Sequence, residues 1–353
     1  MVDAALKIFI PTALAFFVGI GITPSLMRLF FKYRLWKRNA RDDENINPDR
    51  MSATFQSLHN TDDELRTPRV GGSIIWISVV ATAALVWIVS KISPGDVAHR
   101  MNFVSRNQTL IPLFAFVMAS LVGLYDDFLG IFVKSGRFVN GFTRTHMFAI
   151  VALFGLIGSW WFYSKLGVSS VHIPFDGALH LGLWFIPFFI FIALCTFSSG
   201  VIDGIDGLAG GVMATIYSSY ALISFFQHQI DIAVLCAVVA GAILAFLWFN
   251  IPPARFYMGE TGMLGLTTLL TVIAFMTDTV LLLPIIAFPL AVTSASSALQ
   301  IFSKKYFGKK IFKVAPIHHH FEALGWSREK ITMRYWVICV IFAIFGVIAA
   351  LIS

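Results

Sequence analysis

The sequence predicts an all-α, polytopic membrane protein: about ten transmembrane helices forming one integral-membrane domain over residues 1–353, with both termini outside. Three observations carry this. The chain is 58% hydrophobic and only 13% charged, too little polar surface for a soluble domain of 353 residues. Apolar runs near twenty residues recur throughout, about the length that crosses a ~30 Å hydrocarbon core as helix. The breaks between them alternate in charge. Helix is the only spanning element that fits, because the runs are too long and too uniformly apolar for barrel strands.

The expected spans cover residues 7–31, 71–90, 109–125, 145–163, 181–197, 209–226, 232–249, 263–276, 280–302 and 335–352. Only Thr277-Asp278-Thr279 separates the eighth from the ninth. The first reads as a retained span rather than a cleaved signal, since it is long and its basic residues follow it. Of the 26 Lys and Arg, only Lys7, Lys91, Arg100, Arg106 and Lys165 fall on one side of this topology. The basic side is expected to be cytoplasmic. The net charge of +7 suits anionic headgroups or phosphorylated substrates. Nucleic acid is not an expected partner, because no basic domain stands apart from the membrane. Cys195, Cys236 and Cys339 lie inside apolar spans without metal-ligand spacing and read as small core residues.

No internal repeat is visible. The longest polar segment, residues 32–70, is rich in Asp, Asn and Arg and ends at Thr67-Pro68-Arg69-Val70-Gly71-Gly72. In the outer break, Ser169-Ser170-Val171-His172-Ile173 is expected to form a short strand.

Chemistry concentrates in every second break, hence on one membrane face. Asp126-Asp127 follow the apolar run 110–125 and are expected at a helix C-terminus, where the macrodipole already carries negative charge. A metal or basic side chains must compensate them, the plainer alternative being a surface pair neutralised by Lys134 or Arg137. Asp203 and Asp206 sit in Asp203-Gly204-Ile205-Asp206-Gly207; if helical, their spacing puts both on one face, and helix capping is the competing role. The glycines there favour close approach by a ligand. Residues 250–262 combine Asn250, Phe256, Tyr257 and Glu260 in one loop. A nucleobase can stack on Phe256 or Tyr257, although aromatics at an interface also serve as anchors. In Pro316-Ile317-His318-His319-His320-Phe321-Glu322, three consecutive histidines on a helix cannot all face one metal; one or two can reach a phosphate or move a proton.

In this order, these strings resemble the polyprenyl-phosphate N-acetylhexosamine-1-phosphate transferases over nearly the whole chain. The histidine string followed by Leu324-Gly325-Trp326 is similar to the muramoyl-pentapeptide branch. The resemblance implies Mg²⁺-dependent transfer of a phospho-sugar from a UDP-linked donor to undecaprenyl phosphate, with release of UMP, at the cytoplasmic face of the bacterial inner membrane. It leaves room for a homodimer. Carried over by position, Asp126 deprotonates or positions the lipid phosphate with Asp127 beside it. Glu260 and Asp127 are the metal ligands. Asp203, Gly204, Asp206, Asn250 and Tyr257 line the uridine side, with Tyr257 stacking the uracil. His318 takes a catalytic position, and His318, His319 and His320 contact the diphosphate or sugar. Arg66 supplies a cation for the substrate, with Arg69 as its alternative. The pattern departs from the family at Glu260, where Asp is usual, and at Met263, Gly200, Glu64 and His146. A transferase for UDP-N-acetylglucosamine is the neighbouring alternative and a transporter the distant one. Transport fits less well, because the carboxylates gather at helix ends on one side rather than near the bilayer midplane.

Overall fold

The computed structural model describes residues 2–36, 67–92, 101–104, 107–133 and 141–353. Twelve α-helices are found among the described residues. They are α1 (Val2–Lys32), α2 (Ser73–Ile92), α3 (Asn107–Phe132), α4 (Arg144–Lys165), α5 (Phe185–Ser198), α6 (Leu208–Phe226), α7 (Ile230–Asn250), α8 (Gly259–Met276), α9 (Leu283–Ile286), α10 (Phe288–Phe307), α11 (Ile317–Ala323) and α12 (Arg328–Ile352). Among the described residues, nine helices are long and apolar enough to cross a membrane, or ten spans if one bent pair counts as one, so the expected number stands.

Helix α7 is apolar all round and is the most buried of the spans. A helix of that kind belongs in the centre of a bundle. α1, α2 and α6 pack along it, α3 lies along α8, α4 pairs with α5, and α12 lies against α6. Packing rather than propensity sets this arrangement, as the glycines show. A Cβ on Gly241 would collide with the Thr12 carbonyl of α1, and one on Gly265 with the Ser120 hydroxyl of α3. Small residues of this kind let membrane helices approach closely enough for dispersion to hold them. The polar groups inside the core are tied down locally. Tyr217 donates to the Leu266 carbonyl at 2.6 Å, and the buried Thr196 and Thr271 hydroxyls bond each other across α5 and α8 at 2.6 Å.

The expected ninth span is not one straight helix. Val280–Ile286 and Phe288–Phe307 meet at 89°. Pro289 opens α10; it lacks the N–H an α-helix would need at that point, and its ring clashes with the preceding turn, so the chain bends at Ala287. The expected strand is β1 (Ser170–Ile173). It pairs antiparallel with β2 (Gly177–His180), Val171 opposite Leu179. Asp278 accepts from the His172 N–H at 3.1 Å and ties this hairpin to the turn after α8. Of the cysteines, Cys236 and Cys339 are buried as expected. Cys195 is exposed on α5 and is not a core residue.

The start of α2 meets the start of α8 backbone to backbone. A Cβ on Gly72 would overlap the Gly262 main chain and lie 2.6 Å from the Met258 carbonyl. Because backbone cannot swing aside, Gly72→Val should cost at least the ~1–3 kcal/mol typical of overpacking. Thermal unfolding in detergent should show this as a fall of several degrees in Tm, whereas Gly21→Val, with open space around it, should leave Tm unchanged.

Candidate active site

Four segments far apart in sequence meet at one end of the bundle. The loop between α7 and α8, residues 251–258, is the hub, and carboxylates from other elements hold it by its backbone N–H groups. Asp127 on α3 accepts from Glu260 at 3.3 Å and Thr261 at 2.9 Å. Asp203 accepts from Gly259 at 3.0 Å, and Asp206 from Ala254 at 3.0 Å. Asp126 accepts from Phe142 N–H, just before α4. Asn250 is buried at the end of α7, takes the Gly207 N–H at 3.0 Å and donates to the Phe256 carbonyl at 2.8 Å. On the other side, Tyr257 N–H bonds the Pro68 carbonyl at 2.8 Å. Gly71 and Gly72 bond the Tyr257 and Met258 carbonyls at 2.9 Å each.

The first turn of α8 explains why so much acid collects here. Its cap residue, Met258, offers no side-chain acceptor. The orphan N–H groups of a helix start need acceptors, and the dipole there favours anions. Asp127 supplies both from a different helix. Gly259 makes the approach possible: its φ is +67°, and a Cβ there would run into the Arg69 carbonyl and come within 2.7 Å of the Asp127 carboxylate.

Two sequence expectations change here. Asp126 and Asp127 do not end their helix; α3 continues through Phe128 and Ile131 to Phe132. Apolar side chains prolong it beyond the acidic pair, so the pair stands on the wall of the helix. Asp203 and Asp206 are not on a helical face either. A 3₁₀ turn, Ser199–Ile202, gives way to turns, and α6 starts after Gly207 at φ +74° with no side-chain cap. The two carboxylates therefore do not cap α6. They point across to the hub loop.

Phe256 is unavailable for stacking, since it is fully buried among Phe30, Phe246 and Phe249. Tyr257, half-buried beside it, is the aromatic left at the surface of the loop.

The histidine string forms α11. His318 and His319 are buried with ring centroids 4.2 Å apart. Both Nε2 atoms approach Gly204: a Cβ there would lie 2.8 Å from His319 and 3.0 Å from His318. His320 turns elsewhere, accepting from Lys313 N–H at 3.1 Å and packing on Phe312. His319 Nδ1 bonds Glu322 at 2.9 Å, and Arg328 holds the other Glu322 oxygen at 2.6 Å. A carboxylate only accepts, so Nδ1 carries the proton and the Nε2 of a neutral ring is left as an acceptor facing Gly204. Burial alone would raise the Glu322 carboxyl. The His319 and Arg328 hydrogen bonds, with the Arg328 charge, outweigh it and hold it at about 2.

The Asp203 carboxyl is pushed up to about 6, chiefly by burial. The Gly259 N–H and Arg69 oppose the shift, and Asp206 adds to it. Arg69 is thus a described cation that faces Asp203; Arg66 lies outside the described residues. Sequence reasoning did not single out Arg144, which with Asp126 and Asp203 acts electrostatically on Glu260. Its position at the first residue of α4, opposite the acidic pair, was not readable from spacing. His146 sits two residues along, its ring bonded to the capping Thr143 hydroxyl at 2.6 Å.

Among the described residues, no three His, Cys, Asp or Glu side chains form a ready-made metal cage. Asp127 and Glu260 are hard oxygen donors, and Mg²⁺ is usually held by one or two carboxylates, with water and substrate phosphate completing its shell. The Glu260 carboxylate has no hydrogen bond within the described residues, whereas both Asp127 oxygens already receive N–H groups. Glu260 is therefore the more available of the two.

A helix bundle with its acidic and imidazole groups gathered at one end defines a polytopic membrane protein with a polar site suited to phosphate-bearing ligands. Comparison with known proteins agrees. The sequence model of glycosyl transferase family 4 matches residues 109–278. A phospho-N-acetylmuramoyl-pentapeptide-transferase of Clostridium perfringens (strain 13 / Type A) is 36% identical over 278 residues, 78% of this chain and 82% of that protein. Enzymes of the same name from Anoxybacillus flavithermus and Caldanaerobacter subterraneus are 33% and 32% identical, covering 80% and 78% of this chain and 83% and 81% of their own lengths. The chain belongs to the phospho-N-acetylmuramoyl-pentapeptide-transferase family.

Two outcomes are expected. Asp127→Ala leaves two helix-start N–H groups unsatisfied and should lower stability by ~0.5–2 kcal/mol, read as a Tm shift, with Asp127→Asn in between. Glu322, whose folded pKa lies below its ordinary 4.5, contributes stability in full above about pH 4.5, and loses it as pH falls toward about 2. The Tm advantage of wild type over Glu322→Gln should therefore shrink between pH 5 and pH 3; a constant gap would contradict the assignment.

Proposed function

We propose that this chain transfers phospho-N-acetylmuramoyl-pentapeptide from its UDP-linked donor to undecaprenyl phosphate, releasing UMP, as one integral-membrane domain whose site faces the cytoplasm of a bacterium. The observation that carries the reading is the convergence of Asp127, Asp203, Asp206 and Asn250 on the loop and helix start that hold Glu260, with Asp126 acting electrostatically on Glu260 and His318 and His319 facing Gly204 beside Asp203, in a chain of this family. The excess of Lys and Arg at that end supports its cytoplasmic placement.

In the reaction, an oxygen of the lipid phosphate forms a bond to the sugar-bearing phosphorus of the donor. The phosphoanhydride bond breaks, and UMP departs with the electron pair. Asp126 positions the lipid phosphate and takes its proton where one is present. Asp127 holds the first turn of α8 in place, so that Glu260 presents its carboxylate at a fixed point; such positioning is a large part of phosphoryl-transfer catalysis. Glu260 and Asp127 would hold Mg²⁺, which when bound neutralises diphosphate charge. Tyr257 stacks the uracil, and Asp203, Gly204, Asp206 and Asn250 shape the nucleoside side. His318 and His319 address the diphosphate through the nitrogens facing Gly204, and Arg69 supplies the cation expected of Arg66. His320, tied to Lys313, contributes through α11 rather than directly.

The test is UMP release by purified protein with undecaprenyl phosphate, Mg²⁺ and either UDP-N-acetylmuramoyl-pentapeptide or UDP-N-acetylglucosamine. Release is expected with the first donor and abolished by a chelator; release with the second alone would move the chain to the neighbouring branch, and release with neither would sink the proposal. Asp126→Asn should lower the rate at least ~100-fold. Glu260→Gln should raise the Mg²⁺ concentration needed for half-maximal rate by ~10–100-fold.

A further inference from the structure

An open cleft of about 590 Å³, lined by none of the acidic residues, lies where the end of α1 meets the hub loop. Met27, Phe31 and Phe249 line it with apolar surface, and Arg28, Lys32 and Arg255 line it with charge. Arg28 and Lys32 are four residues apart on α1 and share a face. Arg255 comes from the loop, more than two hundred residues later. All three are exposed, and none makes an ion pair with a carboxylate among the described residues. Among the described residues, Arg28 bonds only the Pro24 carbonyl of its own helix, at 3.3 Å. The cleft lies where the apolar outer surface of α1 gives way to charge: Phe9 and Phe17 are exposed along the helix, and Lys32 closes it. Three cations with no carboxylate partner among the described residues, around an apolar floor at that level, match a phosphate headgroup with acyl chains running down the helix.

We propose that this cleft binds an anionic glycerophospholipid of the surrounding bilayer, and that the headgroup clamps α1 to the loop that carries Tyr257 and leads into α8 and Glu260. The connection is short. Arg255 N–H bonds the Phe249 carbonyl at 3.0 Å, and the next residue, Phe256, packs its ring against Phe30 of α1 at 6.3 Å and Phe249 at 6.1 Å. A phosphate shared by Arg28, Lys32 and Arg255 therefore bridges the two elements that sandwich Phe256, the residue before Tyr257. A zwitterionic headgroup carries its own cation and gains less from the three side chains; each basic residue near an anionic headgroup strengthens binding about five-fold.

The experiment is native mass spectrometry of the full chain released from vesicles of equal phosphatidylglycerol and phosphatidylcholine. Wild type should retain phosphatidylglycerol in preference to phosphatidylcholine. Arg255→Gln should weaken that retention about five-fold and Arg28→Gln/Lys32→Gln about twenty-five-fold, while Lys304→Gln/Lys305→Gln, a basic pair outside the cleft, should leave it unchanged. Asp127→Asn should also retain the lipid, which separates this result from any failure of the transferase reading. Equal retention by wild type and the cleft variants, or displacement of the lipid by undecaprenyl phosphate or by inorganic phosphate at millimolar concentration, would overturn the proposal.

Discussion

The site depends on one kind of interaction, a side-chain carboxylate from one element accepting the backbone N–H of another. Asp127, Asp203 and Asp206 each do this to the loop and helix start between residues 254 and 261. The geometry answers two demands at once. A helix start at the edge of the apolar layer has donors that lipid cannot satisfy, and carboxylates in the same place have charge that lipid cannot solvate. Each group removes the other's cost. The acids are consequently held in place before any substrate arrives, and their spacing is set by backbone rather than by flexible side chains.

Close backbone packing completes the arrangement. Gly72 against Gly262, Gly123 against the Glu260 main chain, and Gly259 against Arg69 leave no room for a Cβ. Three helices of different sequence origin, α2, α3 and α8, are thereby locked together within a few residues of the acidic group. The imidazole side is built the same way. Gly204 admits His318 and His319, and the Glu322–Arg328 pair sets the ring of His319.

Much of this could be read from the residues. Span number, the short strand at Ser170–Ile173 and the gathering of alternate breaks at one end all follow from hydropathy, β-branched residues and parity of crossings, none of which needs tertiary detail. What sequence could not show was direction. Asp203 and Asp206 look like caps of the helix that follows them, but they cap a segment some fifty residues later, because Gly207 turns the chain first. Phe256 and Tyr257 are adjacent and equivalent by composition; only packing decides that Phe256 is core and Tyr257 surface. His320 is separated from its neighbours by the hundred-degree step of a helix, which periodicity did anticipate. Arg144 acts on Glu260 across more than a hundred residues, and no local pattern announces it.

The bend at Ala287 sends α10 across to the imidazole side of the site, where it acts as a brace. Its far half is fastened to the segment that follows: Gln300 accepts from the Ile311 and Phe312 N–H groups and donates to the Phe312 carbonyl, and Ser296 takes the Ile317 N–H at the start of α11. His318 and His319 are thus braced from two helices at once, by Ser296 of α10 and by Arg328 of α12 through Glu322. α10 also packs on the Ser199–Ile202 turn that leads to Gly204, so the distance between imidazoles and carboxylates is fixed where α10, α12 and that turn meet.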